Sequence, residues 1–434
     1  MSSAVIRNYS EIAHQYCTDI LSGKIPACNY VKLSCKRHLD DLKKSKSPDY
    51  PYYFSEELAN KRCRFSELLT HVKGKWRKQK IVLEPFQIFI QCCIWGWVKK
   101  KNDKRRFNLA YIEEPRKNAK STDAATSGLY MLLADGEQGA ECYSGATTER
   151  QALEVFRTAW QMVYDNPGLQ KHFGVSLSGT PKNPTSIYRL EGMSRFELIV
   201  GLPGDGASPH LGIVDEYHEH RTSDQLDTLE TGMGAREQPL ALVITTAGVD
   251  TSSPCYDLHL RVIKILEGTI IDENTFAIVF TIDKDDKWSD FSNWAKANPN
   301  YKVSIEEDYL KRKFNETLNN VSKQNINLTK HLNIWQNAGQ AWMNMTKWSA
   351  CYEPTLSLSN FKSQPCYIGL DLASKIDICA LVMLFTGNQR KVARLVFNPI
   401  TNEDEEQEVT QSDLIMFAKY YLPEENERYS NKTR

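Results

Sequence analysis

Between residues 81 and 282, short runs of apolar residues alternate with segments whose apolar positions recur at helical spacing. Continuous apolar runs separated by helices are typical of a parallel sheet that helices cover on both faces. The pattern therefore predicts an α/β domain over 81–282. The strands and helices predicted within it cover residues 107–114, 120–135, 140–147, 149–163, 210–220 and 239–248.

The regions on either side have different patterns. Residues 1–80 are polar with apolar positions at helical spacing, and residues 283–360 are polar and rich in asparagine. We expect a helical N-terminal region and a helical linker region there. The last region, 361–434, begins with three predicted strands, at 366–373, 378–385 and 391–397.

Two features indicate the compartment. The most apolar run, 88–98, is too short to cross a bilayer, which takes about 20 residues, so we predict a buried helix and no membrane partner. The start of the chain has no apolar signal core, and the eleven cysteines form no C-x-x-C pair. This usage is typical of a reducing environment, and we expect a cytoplasmic protein.

The net charge excludes few classes of partner. The 54 basic residues balance the 54 acidic ones, so the net charge does not indicate a polyanionic partner. Two basic clusters, at 73–80 and 99–106, are either solvated faces or surfaces that meet phosphates.

The stretch 113–122, EEPRKNAKST, is similar to a phosphate-binding loop that has lost both glycines. Aligned on G-x-x-x-x-G-K-[ST], Lys120 and Ser121 fit, whereas Glu114 and Ala119 stand at the glycine positions. A predicted strand runs into the stretch and a predicted helix runs out of it, which is the setting in which backbone N–H groups hold phosphate. Lys120 is predicted to reach the β- and γ-phosphates of ATP, and Ser121 to hold Mg²⁺. The residues predicted to bind nucleotide here are Arg116, Lys117, Asn118, Ala119, Lys120, Ser121 and Thr122.

Two later strands end in residues that suit ATP hydrolysis. The strand in LGIVDEYHE ends in an acid pair, of which Asp215 would hold the metal and Glu216 would orient and deprotonate the attacking water. The strand in ITTAG ends in the hydroxyls of Thr245 and Thr246, at a position that couples hydrolysis to movement in helicase-like motors.

Two further motifs are weaker by themselves. Gln87, in LEPFQ upstream of the loop, can pair with the adenine edge in the manner of a helicase Q motif, or can simply open a helix after Pro85. Asp371 lies on the first strand of the last region and Asp377 just before the next strand. A carboxylate on such a strand begins the two-metal site of RNase H-type nucleases, which Mg²⁺ or Mn²⁺ occupies, although a hairpin with exposed acids fits equally well.

Taken in order, these stretches resemble the large terminase subunit of tailed bacteriophages, in its phage or prophage form, over essentially the whole chain. The resemblance rests on LEPFQ, PRKNAKST, ADGEQGAECYSGAT, QALEVF, IVDEYHE, ITTAG, KANPN and GLDLASKIDICALV. It implies an α/β fold in which a P-loop, RecA/ASCE-like parallel-sheet ATPase domain with a helical N-terminal region precedes a partial RNase H-like domain.

The resemblance also implies a function and partners. The ATPase would pump double-stranded DNA into the procapsid and the nuclease would cut the concatemer, in the cytoplasm of the bacterial host. The motor would work as a homo-oligomeric ring on the portal protein, with a small terminase subunit selecting the DNA. By this likeness Arg116 is a basic position near the phosphates and joins Lys120 and Glu216 among the catalytic residues, Gln87 contacts adenine, and Asp371 is the first nuclease carboxylate.

One departure from the family concerns the nuclease. In the family that domain continues beyond three strands and supplies its other metal ligands there, whereas this sequence ends at YLPEENERYSNKTR. We therefore expect an incomplete nuclease module and ATPase competence without DNA cleavage.

Two other functions also fit the sequence. A helicase-like DNA-dependent ATPase shares the glutamine and threonine motifs, and a catalytically dead DNA- or capsid-binding scaffold would account for Ala119. The arginine that completes a neighbour's site in a ring motor is not identified by sequence, although Arg150, Arg221 and Arg236 lie in suitable places.

Overall fold

The computed structural model describes residues 7–201, 206–336, 348, 351–372, 379–398 and 403–421. The chain forms two compact units, Met1–Asn344 and Met345–Arg434.

The first unit begins with helices, as predicted. A short two-stranded antiparallel sheet, β1 with β2, pairs the segment before the third helix with the segment after the fourth. The fourth helix is almost completely buried, which confirms the prediction of a buried helix for the apolar run 88–98. The elements are α1 (Tyr9–Leu21), α2 (Asn29–Lys44), β1 (Tyr52–Phe54), α3 (Glu56–Leu68), α4 (Pro85–Gly96) and β2 (Trp97–Lys99).

An eight-stranded sheet forms the centre of this unit, with strand order β10-β3-β9-β8-β4-β7-β6-β5. The strands from β10 to β7 in that order are parallel, and β6 and β5 add an antiparallel edge. The strands are β3 (Leu109–Glu113), β4 (Glu141–Ala146), β5 (Val175–Gly179), β6 (Pro184–Arg189), β7 (Ser194–Val200), β8 (Pro209–Asp215), β9 (Leu240–Thr245) and β10 (Thr275–Val279).

Both faces of the sheet are covered, because alternate side chains of a strand point to opposite faces and both sets are apolar here. Ile112 and Ile244 join a cluster that includes the N-terminal helices, whereas Tyr111 and Val243 join a cluster on the other face. This confirms the predicted parallel α/β architecture. The helices after the strands are α5 (Lys120–Leu133), α6 (Glu149–Tyr164), α7 (Pro167–Phe173), α8 (Asp224–Gly232) and α9 (Pro254–Leu266).

Residues 283–332, part of the predicted linker region, carry three helices with a small core of their own around Trp294, Leu310 and Leu332. These helices belong to the first compact unit, and Ser304, between the first two of them, donates to the carbonyl of Lys117. They are α10 (Ser292–Ala297), α11 (Glu307–Asn319) and α12 (Val321–Leu332).

The second unit contains an antiparallel sheet of three strands, in the order β11-β12-β13. The strands predicted at 378–385 and 391–397 are wrong as separate elements, because one long strand runs through both with a register shift between Thr386 and Gln389. The third strand instead covers residues 403–421 and begins in a run of acidic residues. The strands are β11 (Cys366–Asp371), β12 (Cys379–Asn398) and β13 (Glu403–Tyr421).

The basic cluster 99–106 is partly structural. Arg105 is buried and donates to Asp135 at 2.5 Å, and Arg106 is buried between Asp41 and Glu273. Both guanidinium groups are therefore committed to internal ion pairs, whereas the basic residues of 73–80 are exposed. None of the helices in the described ranges has both the length and the apolarity that crossing a bilayer requires.

Candidate nucleotide site

The phosphate-loop stretch lies between β3 and α5, as predicted. Lys117 and Ala119 both have left-handed backbones, with φ of 74° and 78°, and α5 begins at Lys120 directly after Ala119. Left-handed residues in a turn, followed by a helix N-terminus, aim backbone N–H groups at a common point and create an anion site. The loop therefore has the conformation of a phosphate-binding loop although it lacks glycine.

Ala119 stands where the motif usually has glycine. Its left-handed φ explains why glycine is usual at this position. An alanine with φ of 78° carries a steric cost of about 1–2 kcal/mol, which glycine does not. We expect Ala119→Gly to raise stability by about 0.5 kcal/mol, because glycine's greater freedom in the unfolded chain offsets part of the relief. ATPase activity should be equal or higher, measured as phosphate release. Ala124→Gly, inside α5, is the matched control and should lose stability; a clear loss of activity in Ala119→Gly would contradict this placement of the loop.

Lys120 folds back over its own loop. Its Nζ donates to the carbonyl oxygens of Glu114 at 2.8 Å and Pro115 at 3.3 Å. The carboxyl of Glu114, at the other glycine position, is buried, and burial raises its pKa while the nearby Lys120 lowers it. Among the residues that the structure describes, the ammonium group is held by two loop carbonyls and has no charged hydrogen-bond partner.

Residues 283–336 brace the loop through asparagines. Asn118 donates to Asn298 Oδ1 at 3.1 Å and accepts from the backbone N–H of Asn300 at 3.0 Å. Ser304 donates to the carbonyl of Lys117 at 2.6 Å. The side chain of Asn118 thus supports the loop, which leaves its backbone N–H for a phosphate. The sequence stretch KANPN, residues 296–300, supplies this support.

Gln87 is committed within the protein. Its Oε1 accepts from the N–H of Glu84 at 2.9 Å, which caps α4, and its Nε2 donates to Asp123 at 2.9 Å. Burial raises the pKa of Asp123 to about 6, and the bond from Gln87 opposes that shift. The adenine contact of Gln87 therefore stays a prediction, since pairing with a base would require these bonds to open.

The acid pair lies at the end of β8, two strands from β3 in the sheet. Asp215 accepts from the N–H of Glu216 at 2.8 Å, and Glu216 has a left-handed backbone with φ of 49°. Burial and the adjacent Glu216 raise the pKa of Asp215 to about 7, and Lys120 lowers it. A buried carboxyl that is this hard to ionise fits a divalent cation, whose charge would favour the ionised form.

The hydroxyl pair lies at the carboxyl end of β9, between the strands that carry the loop and the acids. Thr245 and Thr246 are both fully buried. His218, which sequence analysis missed, joins them to the acid pair: its Nδ1 lies 3.1 Å from Thr245 Oγ1 and 3.3 Å from Glu216 Oε2. A histidine three residues after a strand-end acid has no distinctive sequence signal, which is why only the structure revealed it.

A buried network anchors the loop that follows the threonines. Asn333, with φ of 58°, accepts from the N–H of Ala247 at 2.6 Å and donates to Phe280 O at 2.9 Å and Glu113 Oε1 at 3.2 Å. Glu113 also lies 2.7 Å from Nδ1 of His259. The carboxyl ends of β3, β9 and β10 are therefore tied together by one asparagine that follows α12.

Replacing Asn333 by alanine should destabilise the protein by about 3 kcal/mol, because three buried bonds are lost and alanine disfavours this φ. Asn333→Gly removes the same bonds but accepts the backbone, so it should be about 1 kcal/mol less destabilised than the alanine variant. Urea unfolding measures both. An alanine variant as stable as the unmodified protein would show that the network does not contribute.

The remaining predicted residues are spread out. Arg236 is occupied by the carbonyls of Ser208 and Gly139, which makes it unsuitable as a neighbour's arginine, whereas Arg150 and Arg221 are exposed. Asp371 ends β11 and is exposed, and Asp377 lies outside the described residues. Within the described ranges no three acidic, histidine or cysteine side chains cluster as metal ligands.

A parallel sheet with these motifs at adjacent strand ends defines the class of P-loop ATPases. Residues 85–264 match the family model of the terminase large subunit ATPase domain, and residues 269–416 match that of the terminase large subunit endonuclease domain. The chain belongs to the family of terminase large subunits.

Individual relatives agree with this assignment. The chain is 28% identical over 317 residues to the terminase large subunit of Enterobacteria phage HK97, covering 72% of this chain and 59% of that protein. It is 42% identical over 202 residues to Protein YmfN of Escherichia coli strain K12, covering 46% of this chain and 44% of that one. The crystal structure of the HK97 large terminase has a similar fold, with a TM-score of 0.53, 24% identity and coverage of 83% of this chain and 67% of that one. The chain thus spans between 44% and 59% of the length of these two curated relatives.

Proposed function

We propose that this chain hydrolyses ATP to translocate double-stranded viral DNA into procapsids. The observation that carries the proposal is the adjacency of β3, β9 and β8, whose carboxyl ends hold the loop, the threonine pair and the acid pair. In parallel α/β sheets, ligands bind outside the carboxyl ends of the strands. This arrangement supports a single nucleotide site between the loop and the acids.

The proposed division of work follows from the side chains. The N–H groups of residues 117–121 and the ammonium of Lys120 would bind the β- and γ-phosphates, with the Arg116 side chain adding positive charge. Ser121 and Asp215 would hold Mg²⁺, whose charge neutralises the phosphate oxygens. Glu216 would orient the attacking water and take its proton. Thr245 and Thr246 would respond, through His218, when ATP is hydrolysed beside Glu216.

The proposed partners follow from family membership. They are double-stranded DNA, a small terminase subunit and the portal protein, with several copies of the chain forming a ring during packaging. Their place of work would be the cytoplasm of a bacterial host.

ATP turnover with and without duplex DNA tests the motor function. We expect duplex DNA to stimulate turnover, and the stimulation to fall as salt rises, since phosphate contacts release counterions. Strand separation of a forked duplex would favour the helicase-like alternative. An absence of turnover in the unmodified protein would favour a scaffold with a dead site.

The second proposal concerns the endonuclease module, in which Asp371 on β11 would be the first metal ligand. That this chain lacks cleavage activity stays a prediction. Incubating purified protein with plasmid and Mg²⁺ or Mn²⁺ tests it: we expect no cutting, and cutting that disappears in Asp371→Ala would overturn the prediction.

A further inference from the structure

One cation at the proposed site comes from outside the loop. Lys330, in the last turn of α12, accepts the backbone N–H of Arg116 at 3.0 Å through its carbonyl oxygen. Its Nζ lies 3.1 Å from His218 Nε2. Lys330 therefore touches the start of the phosphate loop with its backbone and the side chain next to the catalytic acid with its ammonium group.

The hydrogen-bond directions around His218 explain how the ammonium is held. The Thr245 hydroxyl donates to Thr246 O at 2.9 Å, so its oxygen accepts from the backbone N–H of His218 and from Nδ1. A lysine ammonium can only donate, so its 3.1 Å contact assigns Nε2 as the acceptor nitrogen and Nδ1 as the donor to Thr245. Glu219 Oε1, 3.2 Å from the same Nε2, adds a negative charge nearby.

The charges around Lys330 indicate an anionic ligand. Burial and the cations Arg116 and Lys120 lower the pKa of Lys330, and the acids Glu216 and Glu219 raise it. The two acids offset part of the repulsion among Lys330, Arg116 and Lys120, and a multiply charged anion at the loop would offset the rest. The triphosphate of ATP has that charge, and its terminal phosphate would lie nearest to Glu216.

We propose that Lys330 is a catalytic residue that binds the γ-phosphate from the same chain, with His218 as the positioning residue that holds it beside Glu216. This proposal rests on the proposed ATPase function. It distinguishes ATP from ADP, because only ATP offers the phosphate that Lys330 would contact.

Binding of ATP's non-hydrolysable analogue AMP-PNP and of ADP to Lys330→Met tests the proposal. We expect AMP-PNP affinity to fall about tenfold or more, the size of a lost charge-assisted bond, with ADP affinity within about threefold of the unmodified protein. The turnover rate should fall by about 10²-fold, as when one transition-state donor is removed. Lys330→Arg should recover part of the AMP-PNP affinity and part of the turnover rate. Lys323→Met, on the exposed face of the same helix, is the control and should change neither.

Several results would overturn the proposal. An equal loss of affinity for AMP-PNP and ADP would indicate a structural role for Lys330. Unchanged affinity for both nucleotides would indicate that Lys330 has no role in binding. If the methionine variant fails to fold, acetylation of Lys330 in the unmodified protein decides: AMP-PNP should protect it and ADP should not, and equal protection would refute the contact. If the unmodified protein binds neither nucleotide, the proposed ATPase function fails as well. If the unmodified protein binds normally and Lys330→Met keeps the same preference for AMP-PNP over ADP, only this inference fails.

Discussion

Replacing Glu216 by glutamine should lower ATP turnover by about 10³-fold while leaving MgATP binding nearly unchanged, because general-base catalysis contributes about 10²–10⁴-fold. Glutamine has the same shape and can keep the left-handed backbone at this position, but it cannot take a proton from water. The loss should therefore be in the chemical step and not in affinity. Single-turnover hydrolysis and equilibrium binding separate the two.

The control for Glu216→Gln is Asp224→Asn, an exposed acid in the first turn of α8. This variant also replaces a carboxylate by an amide, a short distance along the chain, and it should keep full turnover. Turnover in Glu216→Gln within about threefold of the unmodified protein would assign the base to another residue, since so small a change lies below the range for a general base.

Replacing Lys120 by alanine should weaken MgATP binding by about 10²-fold or more, because charge-assisted bonds to two phosphates are lost. The variant also leaves the carbonyls of Glu114 and Pro115 without this donor, so a stability loss of about 1 kcal/mol should accompany it. Titration with a fluorescent ATP analogue measures the first effect, and thermal melting the second.

Lys264→Ala, on the exposed side of α9, is the matched control and should bind ATP normally. A folded Lys120→Ala variant with normal affinity would contradict the assignment of the phosphate loop. An unfolded variant would be replaced by Lys120→Arg, which keeps the charge but should still bind poorly, because the planar guanidinium does not fit where an ammonium reaches two carbonyls.

The sequence predicted the sheet well for a physical reason. Strands such as 240–245 are apolar on both faces and end in polar residues, so pattern alone identifies the strand and the edge where chemistry occurs. Asp215 and Thr245 were predicted in this way, and Lys120 was predicted from its match to the phosphate-loop motif. The long strand β12 was divided in two because its centre, around Thr386 to Gln389, is polar and interrupts the apolar pattern.

Contacts distant in sequence were not predictable. The bond between Asn118 and Asn298 joins residues 180 positions apart, and nothing in a polar, asparagine-rich stretch shows which loop it will brace. Lys330 and His218 are similar cases, since each has an unremarkable local context. The left-handed backbone at Ala119 was also not predictable, because alanine is not a residue that signals positive φ.

The central claim is that the loop around Ala119 belongs to a working ATPase. Phosphate release from ATP by the unmodified protein, compared with Lys120→Ala, tests it most directly. We predict release that saturates with ATP, requires Mg²⁺ and disappears in the variant. Release that is absent, or that is equal in the two proteins, would contradict the claim.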